Sequence, residues 1–438
     1  MNTEKEPIAI FWFRRDLRLH DNAGLFHALK SGIKVLPIFI FDKSILDKLS
    51  DRSDARVNFI HDQLTHLNRE LSKYNSTLKT YNNYPKETFK ELVNSYNIKA
   101  VFTNNDYEPQ AIKRDDEISQ LLKEKGIQFF SYKDQVIFEK NEIVKADQKP
   151  YTIFTPFKNR WLSLLTPEHY EPYPNQKYFH NFFQIPNDQL LSLEDIGFEK
   201  SNLEFPSGMV DESIIKDYEN TRNFPSLNTT KMGIHLRFGT ISIRALVKKT
   251  LYVNDTWLSE LIWRDFFMMI VYCFPHSAKE SFKPAYDRIV WKNNEKDFDA
   301  WRNGLTGYPL VDAGMRELNE TGFMHNRVRM LTASFLCKNL LIDWRWGEAY
   351  FAEKLLDYDL ASNVGNWQWA SGSGCDAAPY FRIFSPELQA QKFDKKNEYI
   401  KKWIPEFGTE QYPAPIIDAK LSAKKTIEVY KKALSEGL

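Results

Sequence analysis

Five short apolar runs open the chain, at residues 8–13 (IAIFWF), 34–41 (KVLPIFIF), 77–81 (TLKTY), 99–103 (KAVFT) and 127–132 (IQFFSY). Helical patterns separate them, from Asn22 to Lys30, Asp54 to Lys73, Lys86 to Ser95 and Glu108 to Lys125. Short buried strands that alternate with helices argue for an α/β domain built on a doubly wound parallel sheet, here over residues 1–132. No GxGxxG follows the first strand, so an ordinary dinucleotide-binding Rossmann domain is unsupported. That strand ends instead in RRDLRLHDN, which taken alone reads as a charged, solvated loop.

Over residues 133–205 the periodicity fades while Pro, Asn and aromatics rise, which predicts an interdomain connector. Helical periodicity then dominates residues 206–438, an all-α C-terminal domain. Aromatic residues make up 15% of the chain, and most of its 11 tryptophans lie after residue 256. Such a concentration suits a large helical core or a site that stacks planar ligands. The formal net charge is +1, so any phosphate contact needs a local patch. Cys273, Cys337 and Cys375 are far apart and lack metal-ligand spacing, which predicts reduced thiols in a cytoplasmic protein without a metal site. The start MNTEKEPIAIFWF lacks a signal-like apolar core and no apolar run is long enough to span a bilayer, so no membrane association is expected.

The stretch Asp357–Arg382, DYDLASNVGNWQWASGSGCDAAPYFR, carries the most specific pattern. Read as a helix from Asp359, it stacks Asn363 and Trp367 on one face and turns Trp369 elsewhere. Gly372, Ser373 and Gly374 then end the helix with little side-chain bulk. Spacing alone favours a core helix with two aromatics. In WLSELIWRDFF, Glu260, Trp263 and Arg264 fall at i, i+3 and i+4. They read either as a Glu260–Arg264 surface pair beside a core tryptophan or as a carboxyl group and an indole lining one cavity. Arg329, in the apolar helix RVRMLTASFLCKNLL, needs an acid if buried, and Asp357 is available downstream.

Taken together, the strings FWFRRDLRLHDN, NDYEPQAIKRD, WLSELIWRDFF, GYPLVDAGMRELNETGFMHNRVRM and LLDYDLASNVGNWQWASGSGCDAAPYFRIFSP resemble the photolyase/cryptochrome family. The likeness spans essentially the whole chain and is nearest to the class I cyclobutane pyrimidine dimer (CPD) photolyases. It implies an antenna domain (1–132), a connector (133–205) and a helical FAD-binding domain (206–438). Tyr218, Arg222, Thr229 and Thr230 match the region of the FAD diphosphate and ribose. The following KMGIHL departs from the family's frequent LSPYL, with Gly233 for Ser and Ile234 for Pro. Arg329 and Asp357 match the ion pair beside the isoalloxazine, Asp359 the flavin-edge acid, and Asn363 the side chain near flavin N5.

The resemblance also implies the chemistry: light-driven, redox-neutral repair, in which excited reduced FAD lends an electron to a dimer flipped out of UV-damaged DNA. Glu260 matches the group that hydrogen-bonds the dimer, Trp263 and Trp369 the pair that sandwiches it, and Asn326 and Met330 its further contacts. Enzymes for (6-4) photoproducts carry His at the positions of Asn326 and Met330, since that chemistry uses proton transfer. Trp367, Trp344 and Trp291 match a chain of electron carriers from flavin to surface. Glu108 resembles a contact to a methenyltetrahydrofolate antenna, with deazaflavin or an empty pocket the alternatives. The expected protein is a cytoplasmic monomer; a cryptochrome-type photoreceptor or a (6-4) photolyase are the rival readings.

Overall fold

The computed structural model describes residues 6–186 and 189–435. The outer ends of the spans expected at 1–132 and 206–438, and two positions of the expected connector, lie outside the described residues. The chain divides into two compact units. The first holds residues up to 139 together with 165–208 and 232–249; the second holds 140–164, 209–231 and the chain from 250 onward. The stretch 133–205 is thus shared, with 140–164 packed into the helical unit and the rest into the sheet unit.

The main elements of the first unit are β1 (Pro7–Phe13), α1 (Ala23–Lys30), β2 (Lys34–Asp42), α2 (Ala55–Ser72), β3 (Lys79–Asn83), α3 (Pro85–Ser95), β4 (Asn97–Asn104), α4 (Pro109–Glu124) and β5 (Gln128–Tyr132). All neighbouring strands pair in parallel in the order β3-β2-β1-β4-β5. Every residue of β1 after Pro7 is buried, and every residue of β2 after Lys34. That burial on both faces is why these strands read as unbroken apolar runs rather than alternating ones. Asn22 and Asp54 cap α1 and α2 by accepting the N–H groups of Leu25 and Arg56. Pro85 and Pro109 open α3 and α4, where a missing N–H costs nothing. The strand order reverses between β1 and β4, and such a switch point leaves a crevice beyond the carboxyl ends of the strands.

RRDLRLHDN borders that crevice, and it is not a solvated loop. Arg14 donates to Asp115 at 2.5 Å, Arg15 to Glu108 at 2.7 Å, and Arg18 to both oxygens of Asp134 at 2.8 and 2.7 Å. Asp16 is 2% exposed and accepts from Asn104 Nδ2 at 2.6 Å. Arg244 reaches Asp134 and Asp21, both at 2.8 Å. The partners come from the ends of later elements, so a local window shows the charges without the acids and bases that neutralise them. Buried charges persist only when paired in this way.

The main helices of the second unit are α5 (Phe154–Leu164), α6 (Asp255–Cys273), α7 (Pro309–Thr321), α8 (Asn326–Lys338), α9 (Trp344–Lys354), α10 (Leu360–Ser371), α11 (Pro386–Phe393), α12 (Glu398–Trp403) and α13 (Ala419–Ser435). α8, α9 and α10 share one apolar core that includes Leu331, Leu336, Trp344, Phe351 and Trp367. α6 closes on α10 at Gly365, where a Cβ would come within 2.2 Å of the Phe267 ring. Asp359 caps α10 by accepting the Ser362 N–H, and Gly372 ends it at φ 96°, a left-handed conformation that costs glycine nothing. No helix among the described residues is long and apolar enough to cross a membrane.

Candidate functional site

α8, α9, α10 and the loop between α9 and α10 line an open-mouthed cavity of about 590 Å³. Asn326, Arg329 and Met330 reach it from α8, at positions i, i+3 and i+4 of one helix face. Asp357 and Asp359 reach it from the loop, and Asn363, Trp367 and Trp369 from α10. The Arg329 guanidinium donates to both oxygens of Asp357, at 3.1 and 3.0 Å, while its Nε donates to the Met324 carbonyl at 2.7 Å. A bidentate pair of this kind fixes the plane of the cation as well as its position.

Asn363 Nδ2 donates to Glu348 Oε1 at 2.9 Å and to the Glu348 carbonyl at 3.1 Å. Its own amide oxygen accepts nothing from the described residues, which leaves it for an N–H of a ligand. Glu348, which sequence reasoning missed, thus holds the Asn363 amide. Burial raises its carboxyl above the usual range, and the bond from Asn363 offsets part of that rise. Nothing local in LLIDWRWGE marks Glu348; only the packing of α9 on α10 brings it to Asn363.

Trp367 is buried, and its ring meets Phe351 edge-on at 5.0 Å and Trp301 at 6.1 Å. It lies flush against α9 because residue 347 is glycine: a Cβ there would come within 2.1 Å of the indole. Trp344 is one turn earlier on that helix and equally buried, and Trp291 packs half-buried against the same core. Gly347→Ala gains helix propensity of roughly 1 kcal/mol but overpacks the ring, a cost of about 1–3 kcal/mol and sometimes more. The expected outcome is a lower melting temperature together with altered Trp367 fluorescence; a melting temperature at or above wild type would show that the ring yields freely.

A second cluster forms on α6. Arg222 Nη1 pairs with Glu260 Oε1 at 2.9 Å, and Tyr218 also hydrogen-bonds that carboxyl. Tyr218 and Arg222, expected in the region of the FAD diphosphate and ribose, both meet Glu260 here. Burial raises the Glu260 carboxyl above the usual range, and Arg222 offsets part of that rise. Trp263, one turn on, is half-buried with Phe154 of α5 stacked on its ring at 3.6 Å and 7°. Phe154 was not singled out by the sequence, because it lies far from WLSELIWRDFF in the chain.

Thr229 lines a separate polar cavity of about 600 Å³, beside Lys231, His325 and Lys402; Thr230 follows it, half-buried. In the first unit, a cleft of about 1050 Å³ lies at the carboxyl ends of β1 and β2 and the start of α4. Its lining includes Phe39, Phe41 and Phe238 together with Arg14, Arg15, Arg114 and Arg237 and the acids Asp42 and Asp106. Glu108 lines this cleft and is held by Arg15 at 2.7 Å and Arg237 at 2.9 Å.

Comparison with known proteins agrees with this geometry. A family model described as DNA photolyase matches residues 9–177, and one described as the FAD binding domain of DNA photolyase matches residues 257–410. The chain is 34% identical to a deoxyribodipyrimidine photo-lyase of Synechococcus, over 98% of each chain. Its fold is similar to that of a bacterial class III photolyase from Agrobacterium tumefaciens, with TM-score 0.86, 30% identity, and 99% and 98% of the two chains covered. An archaeal photolyase from Sulfolobus tokodaii, solved with two FAD molecules, is similar with TM-score 0.82 at 34% identity, over 97% and 99% of the chains. An α/β unit on a parallel sheet, a helical unit whose cavity is lined by Arg329–Asp357, Asn363 and Trp367, and these full-length likenesses lead to one assignment: the chain belongs to the DNA photolyase family.

Proposed function

We propose that this protein repairs cyclobutane pyrimidine dimers in UV-damaged DNA with light, using FAD held in the α8–α10 cavity. The observation that carries the reading is the convergence of a bidentate Arg329–Asp357 pair, an amide oxygen on Asn363 and the Trp367 wall around one cavity. These residues fit a flavin: a flat aromatic wall, an acceptor for a ring N–H and a fixed cation beside a ring that gains negative charge. When bound and reduced, FAD supplies the photoexcited electron that opens the cyclobutane ring and then takes it back.

The chain's own residues bind, orient and tune. Arg329 and Asp357 hold one edge of the cofactor, Asp359 another, and Asn363 is aimed by Glu348. Thr229 and Thr230 serve the diphosphate end. Photolyases are among the enzymes that extrude their target base, and Trp263 offers the extruded dimer an indole already backed by Phe154. Trp369 faces it from α10, with Asn326 and Met330 as further contacts. Glu260 supplies a hydrogen bond whose value rises as the dimer gains charge. Asn326 and Met330, in place of the histidines of (6-4) enzymes, favour the cyclobutane lesion. We assign residues 1–132 as the antenna domain and 206–438 as the catalytic domain of a cytoplasmic monomer. The first-unit cleft takes a second chromophore, methenyltetrahydrofolate first and deazaflavin second, since its aromatic side chains suit a planar ring system.

Stacking on one base is worth roughly 1–3 kcal/mol. Trp263→Ala is therefore expected to weaken binding of dimer-containing DNA about tenfold or more, with little change for undamaged DNA. Normal binding by this variant, measured by fluorescence anisotropy, would move the stacking site elsewhere. The test of the function itself is chromatography of illuminated products from oligonucleotides carrying either a thymine dimer or a (6-4) product. Repair of the first alone supports the proposal. Repair of the second alone makes the protein a (6-4) photolyase, and repair of neither favours a photoreceptor.

A further inference from the structure

Phe154, stacked on Trp263 at 3.6 Å and 7°, is the first residue of α5, so its place depends on how that helix begins. The first four N–H groups of a helix have no partner within it. Ile153, the residue before α5, has no side-chain oxygen to serve as a cap. The cap comes instead from far along the chain: the Phe154 N–H donates to Asp376 Oδ2 at 2.9 Å. A carboxylate at a helix N-terminus also meets the positive end of the helix dipole. Asp376 belongs to the turn that follows Trp369 and α10, and that turn is itself fixed. The Gly374 N–H donates to the Gln368 carbonyl and the Lys283 N–H to the Ser373 carbonyl, both at 3.0 Å. A Cβ at residue 374 would come within 3.1 Å of the Gln368 carbonyl carbon, so only glycine lets the turn fold back this closely. Gln368 in turn accepts the Phe282 N–H at 2.9 Å and donates to the carbonyls of Ser277 and Glu280 at 2.8 and 3.0 Å.

Resting on the reading that Trp263 and Trp369 hold the dimer between them, we infer that Asp376 is a positioning residue, which fixes the start of α5 and through Phe154 sets the plane of the Trp263 ring. The segment that carries one indole of the sandwich thereby braces the other. Asp376 acts through Phe154 and not through the lesion. Its contribution is preorganisation: a ring held in one orientation before the dimer arrives gives up little freedom when the dimer stacks on it. Without the cap, the first turn of α5 frays and the Phe154 ring leaves the indole. Trp263 then keeps its place on α6 but must be ordered anew each time a dimer enters.

The test uses the FAD-loaded protein with 5-fluorotryptophan in place of tryptophan, and two readouts that do not depend on turnover. The first is the fluorine resonance that disappears in Trp263→Phe, recorded without DNA. A stacked ring shifts that resonance, so Phe154→Leu and Asp376→Ala are expected to move it alike, and Asp376→Asn, whose amide oxygen still caps a helix, to leave it near wild type. Asp376→Glu keeps the charge but displaces the carboxylate, and gives the same reading if the alanine variant does not fold. An unmoved resonance in these variants overturns the clamp. The second readout is binding of a thymine-dimer oligonucleotide. Asp376→Ala is expected to weaken it about threefold or more, a part of what stacking on one base is worth, with undamaged DNA unaffected and Asp376→Asn restoring most of the loss. Adding Phe154→Leu to Asp376→Ala should then cost little more, since the two act as one unit. Losses that simply add, or an equal loss for undamaged DNA, overturn the action through Phe154. Normal dimer binding by Trp263→Ala sinks the sandwich and the role of Asp376 in binding together, while the fluorine resonance still decides whether Asp376 holds Phe154.

Discussion

Trp367→Phe is expected to leave repair by pre-reduced protein nearly unchanged and to take light-driven reduction of oxidised FAD down to background. Trp367 lines the cavity, is buried, and lies flush on the helix that begins with Trp344. Phenylalanine keeps an aromatic wall but does not give up an electron as indole does. Trp344 Nε1 finds no acceptor among the described residues, so an indole cation formed there would keep its proton, as the proposed route outward to Trp291 requires. The smaller ring costs about 1–2 kcal/mol of stability, too little to empty the site. Steady-state absorbance of oxidised FAD under blue light, beside repair after chemical reduction, separates the two roles. An equal fall in both would place Trp367 in the repair step itself.

Asp134→Asn is expected to destabilise the first unit by about 3–5 kcal/mol, because it strands two buried guanidiniums. Asp134 is 1% exposed and serves Arg18 and Arg244 at once. Burial alone would raise its carboxyl; the two arginines outweigh that and hold it at about 2. In the unfolded chain the same group takes a proton near pH 4, roughly. The native state therefore binds fewer protons than the unfolded state between those values. The contribution of Asp134 is complete above about pH 4 and drains away as the pH falls toward about 2. Urea unfolding at pH 7 should show the full gap between wild type and variant, and the gap should narrow below about pH 4. A gap that is small at pH 7, or constant with pH, would mean that the arginines find other partners.

The sheet was legible because β1 and β2 are buried on both faces and their apolar runs mark them without alternation. α10 was legible for a different reason, since Asp359 as cap and Gly372 as terminator bracket it in the sequence. What the sequence hid were pairings across the chain. RRDLRLHDN looked solvated because Asp134 and Arg244 lie far downstream. Glu260 reads from the sequence either as a partner of Arg264 or as a carboxyl lining a cavity, and neither reading shows Arg222, with which the structure pairs it. Glu348 and Phe154 carried no local signal at all; each acts through one residue that only packing brings within reach. Charge and aromatic residues find partners by tertiary approach, which periodicity does not encode.

The central claim is catalytic repair by a loaned electron, and the most direct measurement is the number of thymine dimers split per FAD. Protein reduced once, freed of reductant and kept without oxygen, would be illuminated with excess dimer-containing oligonucleotide, with a dark sample alongside. The account predicts dimers split in large excess over FAD, none in the dark, and cofactor still reduced at the end. Splitting that stops at one dimer per FAD, or that leaves the cofactor oxidised in proportion, would contradict it.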